Sequence, residues 1–254
     1  MRRLRSCVGI LVVGWLIYAT AMHFVVWYLA RKTASDDYQK LSIAPTPLKD
    51  MTVERLSGPR IERFGFSFQV PWNEMLTNHS GKDAASLGFE GGAAVLLFDP
   101  ASAVDGAKIE RGTTDKDHAL MNLVLGTKAL SSNYDLMAAA VQATPNDVKW
   151  WASRVHNTGS LLLLENKNMD LVDVNSIHPV TAGAVRGFQF GDPDTAPYVV
   201  SLKLFDSSDR QYWILITGMH VHHSVITQGA INALIASLQP VAARPVERSS
   251  HNGF

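Results

Sequence analysis

Residues 198–217 read YVVSLKLFDSSDRQYWILIT. Two runs rich in β-branched and aromatic residues, Tyr198–Phe205 and Gln211–Thr217, flank a polar segment whose Asp and Ser side chains favour turns. This pattern predicts a β-hairpin, and the two strands of a hairpin pair antiparallel. We therefore expect the fold to contain an antiparallel sheet.

Further strand patterns precede the hairpin. Phe64–Val70 and Ala184–Phe190 alternate apolar with other residues, and Ala93–Phe98 are apolar throughout, as in buried or half-buried strands. Grouped strands with helices between and after them predict an α+β domain over residues 61–240. Its mainly antiparallel sheet is expected to be covered by helices.

The last predicted helix follows the hairpin and ends at Pro240. Ser224 is a suitable N-cap. Its apolar stripe is broad enough to pack flat on a sheet and consists of Ile226, Ala230, Ile231, Leu234, Ile235 and Leu238.

The centre of the chain contains two helix-start patterns. Ser132 or Asn133 can cap a helix over Tyr134–Ala143. Residues 144–147 supply a threonine cap, a proline at N1 and an acid at N3, and they predict a second helix over Val148–Val155.

The segments beside these helices are less regular. Asn157-Thr158-Gly159 is expected to end the second helix. The four leucines within Ser160–Glu165 then indicate a strand, whereas His118–Leu125 fits either a strand or a helix.

The domain opens with Phe66-Ser67-Phe68-Gln69-Val70-Pro71-Trp72, which resembles the start of PsbP/Mog1-like domains. The late strand, hairpin and terminal helix ending at Ala236-Ser237-Leu238 follow in a similar order. The resemblance spans roughly Ile61 to Gln239. It implies a small binding or assembly factor, often in a membrane-associated complex, and a non-enzymatic role. The two helices around Tyr134–Val155 are additional to that family's pattern.

An apolar segment near the N-terminus predicts a membrane anchor. Residues 8–30 read VGILVVGWLIYATAMHFVVWYLA, 23 residues without a formal charge, enough to span a hydrocarbon core of roughly 30 Å. Three arginines lie in residues 1–7, so the positive-inside rule favours a cytoplasmic N-terminus and an extracytoplasmic domain. Residues 31–60 contain scattered charges and prolines and are expected to form a tether.

A cleaved signal peptide is the competing interpretation of the same segment. Ala19-Thr20-Ala21 fits the small-x-small cleavage pattern, but the apolar run continues past it, from Phe24 to Leu29, where a signal peptide turns polar. We therefore expect an uncleaved signal-anchor in a single-pass protein. His23 is ionisable within the run, which marks either a functional group or a histidine at the outer interface beside Trp27.

The composition argues against nucleic acid as a partner. Lys plus Arg and Asp plus Glu are equal at 23 each, and no basic block interleaved with aromatic residues occurs. Cys7 is the only cysteine, so no disulfide within the chain and no CxxC motif can form. The expected partners are the lipid bilayer, through residues 8–30, and a membrane protein.

The densest polar group is His220-Val221-His222-His223. Imidazoles at i and i+2 of an extended segment point to one side, so His220, His222 and His223 are candidate ligands of a divalent metal. A zinc site needs a third or fourth ligand, for which His118, His156 and His178 are available. The alternative is a polar loop whose histidines face solvent, with no cofactor bound.

Trp150 and Trp151 are the candidate partner-binding residues. Adjacent side chains on a helix diverge by about 100 degrees, so the two rings cannot fill one core pocket. Either both are buried between neighbouring elements, or one stays exposed and contacts a partner or a bilayer surface.

The sequence contains no GxSxG, HExxH or SxxK motif, so the common nucleophile and zinc-hydrolase patterns are missing. It favours a membrane-anchored extracytoplasmic binding or assembly module of unknown ligand. The alternative function is an envelope enzyme or metal-dependent protein built on the His220/His222/His223 loop. Residues 241–254 are expected to form a disordered tail.

Overall fold

The computed structural model describes residues 2–36, 38–99, 132–171, 174–218 and 226–241. The predictions for His118–Leu125 and for the tail beyond residue 241 lie outside these ranges. The helices are α1 (Arg2–Asp36), α2 (Tyr38–Leu41), α3 (Asn133–Gln142), α4 (Arg154–Asp170) and α5 (Gln228–Ser237). The strands are β1 (Arg60–Arg63), β2 (Phe66–Gln69), β3 (Met75–Ser80), β4 (Ala84–Phe89), β5 (Ala93–Phe98), β6 (Ile177–Ala182), β7 (Val185–Phe190), β8 (Val199–Asp206), β9 (Gln211–Gly218) and β10 (Gln239–Pro240).

Two antiparallel sheets form the centre of the described structure. Seven strands pair in the order β3-β4-β5-β9-β8-β7-β6, and a smaller sheet has the order β1-β2-β10. The predicted hairpin is confirmed, with Val199 opposite Thr217 and Phe205 opposite Gln211. The predicted α+β class, a mainly antiparallel sheet with helices, is also confirmed.

Asp206 stabilises the turn of this hairpin. Its carboxylate accepts hydrogen bonds from the main-chain N–H groups of Ser208 and Arg210 and from the hydroxyl of Tyr212. Burial alone would raise the pKa of Asp206, but the hydrogen bond from the Ser208 hydroxyl, together with those from Tyr212 and the main chain, outweighs burial and lowers the pKa below its ordinary value. Burial and the bond to Asp206 raise the pKa of Tyr212. At neutral pH the turn is therefore held by a carboxylate that accepts from a neutral phenol.

One face of the large sheet is covered by α5 and the small sheet. Ile231, Leu234 and Ile235 of α5 are buried in one cluster with Phe66 and Phe68 of β2. The apolar stripe predicted for this helix therefore faces the core. The helix begins at Gln228, because the side chain of its N-cap, Thr227, accepts a hydrogen bond from the N–H of Ala230.

The opposite face is covered in part by α3 and α4. Met137 and Val141 of α3 lie in a buried cluster with Phe188 and Phe205. At the end of α4, Asp170 forms a buried ion pair with Lys203 of β8. This pair attaches the helical layer to the sheet.

The centre of the chain differs from the sequence prediction. Residues 144–147 provide a capping box for a single 3-10 turn, and α4 begins only at Arg154, after the Ser153 cap. The predicted helix over Val148–Val155 and the predicted strand over Ser160–Glu165 are therefore wrong. The leucine run lies inside α4, which packs against both α3 and α1, and a helix enclosed on two sides needs apolar residues around much of its circumference.

Residues 42–58, predicted as part of a tether, lie against the domain. The N–H of Thr46 donates to the carbonyl of Ile177 at 2.9 Å. The side-chain amide of Asn232 donates to the carbonyl of Asp50 at 3.0 Å. These contacts join the segment to β6 and to α5.

Candidate functional site

Helix α1 is long and apolar enough over Val12–Ser35 to cross a membrane. Large apolar side chains along it are exposed rather than packed within the protein. They are Val12, Val13, Trp15, Leu16, Ile17, Tyr18, Phe24, Val25, Tyr28 and Leu29. A helix with this much exposed apolar surface could interact with a bilayer.

The C-terminal half of α1 packs on α4. Covered positions on α1 recur every three or four residues, as expected for one helix face. They are Ala19, Met22, His23, Val26, Trp27, Ala30, Thr33 and Ala34. Ala30 and Ala34 are buried in a cluster with Leu164 of α4. Small side chains at i and i+4 let two helices approach closely.

His23 lies near the start of the covered face of α1. Its Nε2 donates to the main-chain carbonyl of Trp150 at 3.0 Å. Trp150 and Trp151 are 63% and 68% exposed, and their rings meet edge to face with centroids 5.9 Å apart. Neither ring is enclosed in the core, and both lie on the loop before α4.

Lys167 lies buried on α4 close to the same junction. Its Nζ donates to the carbonyl of Leu41 at 2.9 Å and to the carbonyl of Ala143 at 2.7 Å. Burial lowers the pKa of Lys167 from 10.5 to about 8, and the charge of Asp147 offsets only part of this effect. The lysine thereby joins α4 to the end of α2 and to the end of α3.

A polar cleft of about 620 Å³ opens elsewhere on the domain. Three parts of the chain form it: residues 46–50, residues 176–195 around the β6–β7 hairpin, and residues 226–228 at the start of α5. Its ionisable side chains are Lys49, Asp50, His178, Asp192 and Asp194. Hydrogen bonds from the hydroxyl and the N–H of Thr52 lower the pKa of Asp50.

His178 is held on both sides in this cleft. Its Nδ1 lies 2.8 Å from the carbonyl oxygen of Thr46, and its Nε2 lies 2.9 Å from Oδ1 of Asp192. Each ring nitrogen therefore lies within hydrogen-bond distance of an oxygen on a different segment. His178 therefore connects residues 42–58, which were predicted to be part of a tether, to the loop after β7.

Ser176, His178 and Asp192 line one cleft but do not form a nucleophile–base pair. The Oγ of Ser176 is buried without a hydrogen-bond partner, and both nitrogens of His178 already contact other acceptors. A serine nucleophile needs a histidine nitrogen free to take its proton. Ser176 and His178 are therefore not arranged as a nucleophile and its base.

The predicted metal ligands His220, His222 and His223 lie outside the described residues, as does His118. His156 bonds the carbonyl of Asp147, whereas His178 lies in the cleft. Among the described residues, no group of three or more His, Cys, Asp and Glu side chains is placed to hold a metal ion.

No protein-family model, no curated protein and no solved structure matches this chain. The resemblance to PsbP/Mog1-like domains therefore stays a prediction.

The sequence indicated part of these sites. His23 stood out as the ionisable residue of an apolar run, and the structure shows that it contacts Trp150. The cleft was missed because its lining residues are distant in sequence. The acidic turn at Asp192 and Asp194 was visible, but turn formation explained it equally well.

Proposed function

We propose that this protein is a single-pass membrane protein that holds an α+β binding or assembly module on the extracytoplasmic side. The observation that carries the proposal is that the C-terminal half of α1 has one covered side and one exposed apolar side. One side of its C-terminal half packs on α4, while Phe24, Val25, Tyr28 and Leu29 on the other side are exposed. Cleavage after Ala21 would leave these apolar side chains in water, whereas a bilayer covers them.

The arginines at the start of α1 support the orientation. Arg2, Arg3 and Arg5 lie at the end of the helix remote from the domain. Cytoplasmic ends of membrane helices carry an excess of Lys and Arg. The domain then lies on the extracytoplasmic side.

The orientation can be tested with one thiol. Met169 on α4 is 60% exposed, so Met169→Cys in a Cys7→Ser background places a single reactive group on the domain. In sealed vesicles whose extracytoplasmic face points outward, an impermeant maleimide should label this thiol without detergent. Labelling only after detergent lysis would contradict the orientation.

The polar cleft is the proposed ligand site of the module. Its volume lies in the range of small-molecule sites. Among the described residues of the cleft, three carboxylates face one lysine and one histidine, Lys49 and His178. The cleft should therefore prefer a small polar ligand with a cationic group.

This preference predicts a charge-dependent shift in thermal unfolding. Ethanolamine should raise the unfolding midpoint of the full chain in detergent, since ligands that bind only the folded state stabilise it, and acetate should not. Asp194→Lys should abolish the shift, whereas Glu62→Lys, an exposed change on β1, should retain it. Equal shifts in both variants would rule out the cleft as the site.

A further inference from the structure

The loop before α4 is a second exposed apolar feature of the protein, beside α1. Trp150 and Trp151 are exposed, and Val155 in the first turn of α4 is 39% exposed. Large apolar side chains grouped on a loop are typical of contact surfaces.

The depth of this loop in a bilayer follows from its position along α1. A hydrocarbon core of roughly 30 Å holds about 20 helical residues. The charge-free run begins at Val8, so these residues run from near Val8 to near Trp27, and His23 lies about one helical turn inside the outer edge of the core. Because His23 bonds the carbonyl of Trp150, the tryptophan pair lies within about one helical turn of the level where the hydrocarbon core gives way to the headgroups.

The loop is held in a fixed shape by the domain. The buried side chain of Asn157 accepts from the N–H of Lys149 at 3.2 Å and donates to the carbonyl of the same residue at 3.0 Å. The N–H of Ala152 closes a turn on that carbonyl as well. The two rings are therefore displayed with little loss of conformational freedom on binding.

The charges around the rings suit a bilayer surface. Lys149 and Arg154 flank the pair and are exposed, and residues 148–164 contain no acidic side chain. Tryptophan rings favour the headgroup region, and basic residues beside them attract anionic lipids.

We propose that the loop around Trp150 and Trp151 inserts into the headgroup layer of the bilayer that α1 crosses, as a second membrane contact that fixes the orientation of the domain. The occupant of this surface is lipid rather than a protein partner. The inference rests on the proposed membrane span of α1.

Depth-dependent quenching tests the insertion in the full chain. An environment-sensitive fluorophore is attached to Val155→Cys in a Cys7→Ser background, and the protein is reconstituted in phosphatidylcholine–phosphatidylglycerol vesicles. Nitroxide lipids labelled near the headgroup should quench this fluorophore several-fold more than one on Met169→Cys, at the far end of α4. Changing Trp150→Ser and Trp151→Ser together should reduce the quenching at residue 155 to that measured for the fluorophore at residue 169. Changing Trp150→Phe and Trp151→Phe instead should keep most of the quenching at residue 155.

A fluorophore at a third position distinguishes the membrane span of α1 from the insertion of the loop. On Trp15→Cys, it should be quenched strongly by nitroxides deep in the acyl chains. Quenching at residue 15 with none above the Met169 level at residue 155 would overturn the loop insertion and leave the membrane span intact. No quenching at residue 15 would overturn the span and the insertion together.

Discussion

Lys167 is a cation enclosed where α2, α3 and α4 meet. It is fully buried and its hydrogen bonds go to two main-chain carbonyls. A buried ammonium group is costly, so burial lowers the pKa of Lys167 to about 8, although the charge of Asp147 offsets part of this effect. Lys167 holds these segments together, and the free-energy cost of burying its charge depends on pH.

The pH dependence of stability should reveal this residue. Between pH 8 and 10.5 the unfolded chain keeps the proton of Lys167 while the folded chain releases it. The contribution of Lys167 to the free energy of unfolding should therefore rise with pH across this window, whereas the raised pKa of Tyr212 acts in the opposite direction toward its upper end. At about 1.4 kcal/mol per pKa unit, the full rise is about 3 kcal/mol.

Lys167→Met should remove this rise in chemical denaturation of the detergent-solubilised chain. Lys149→Met, at an exposed position of the loop before α4, serves as the matched control and should keep it. An unchanged rise in the Lys167→Met protein would show that the lysine keeps its proton in the folded state.

At the scale of elements, α5 is the main apolar cover of the large sheet. Leu234 is fully buried between the two sheets. Leu234→Ala should lower the free energy of unfolding by about 2 to 5 kcal/mol, through lost transfer energy and a cavity. Leu76→Ala at an exposed position of β3 should change it by less than about 0.5 kcal/mol. Equal effects of the two changes in denaturant titrations would contradict the packing of α5.

The packing of α1 on α4 depends on small residues. Ala30 is fully buried at this contact, and added methylene groups in a packed interface cost about 1 to 3 kcal/mol. Ala30→Leu should lower the thermal midpoint in detergent, whereas Ala21→Leu, on an exposed part of the helix, should not. A midpoint unchanged by Ala30→Leu would mean that the two helices do not pack as described.

Across the whole molecule, local sequence patterns predicted the elements whose structure is set by interactions within a few residues. The turn at residues 206–210 indicated its hairpin, and the stripe of α5 indicated its buried face, because turn chemistry and helical periodicity act over a few residues. The apolar length of α1 was likewise readable directly from the sequence.

The elements and sites that were mispredicted or missed depend on contacts between residues that are distant in sequence. Leu161, Leu163 and Leu164 looked like a strand because their second partner, α1, was treated as a separate membrane segment. The pair of His178 and Asp192 forms only when the β6–β7 hairpin closes. Trp150 and Trp151 are both exposed, whereas the sequence led us to expect burial of both rings or exposure of only one.

We propose that α1 stays joined to the domain and crosses a membrane. Intact-mass analysis of the protein that remains in the membrane pellet after alkaline carbonate extraction tests this proposal. We predict a membrane-retained chain whose mass includes residues 2–21. A chain that begins at Met22 and appears in the carbonate supernatant would contradict it.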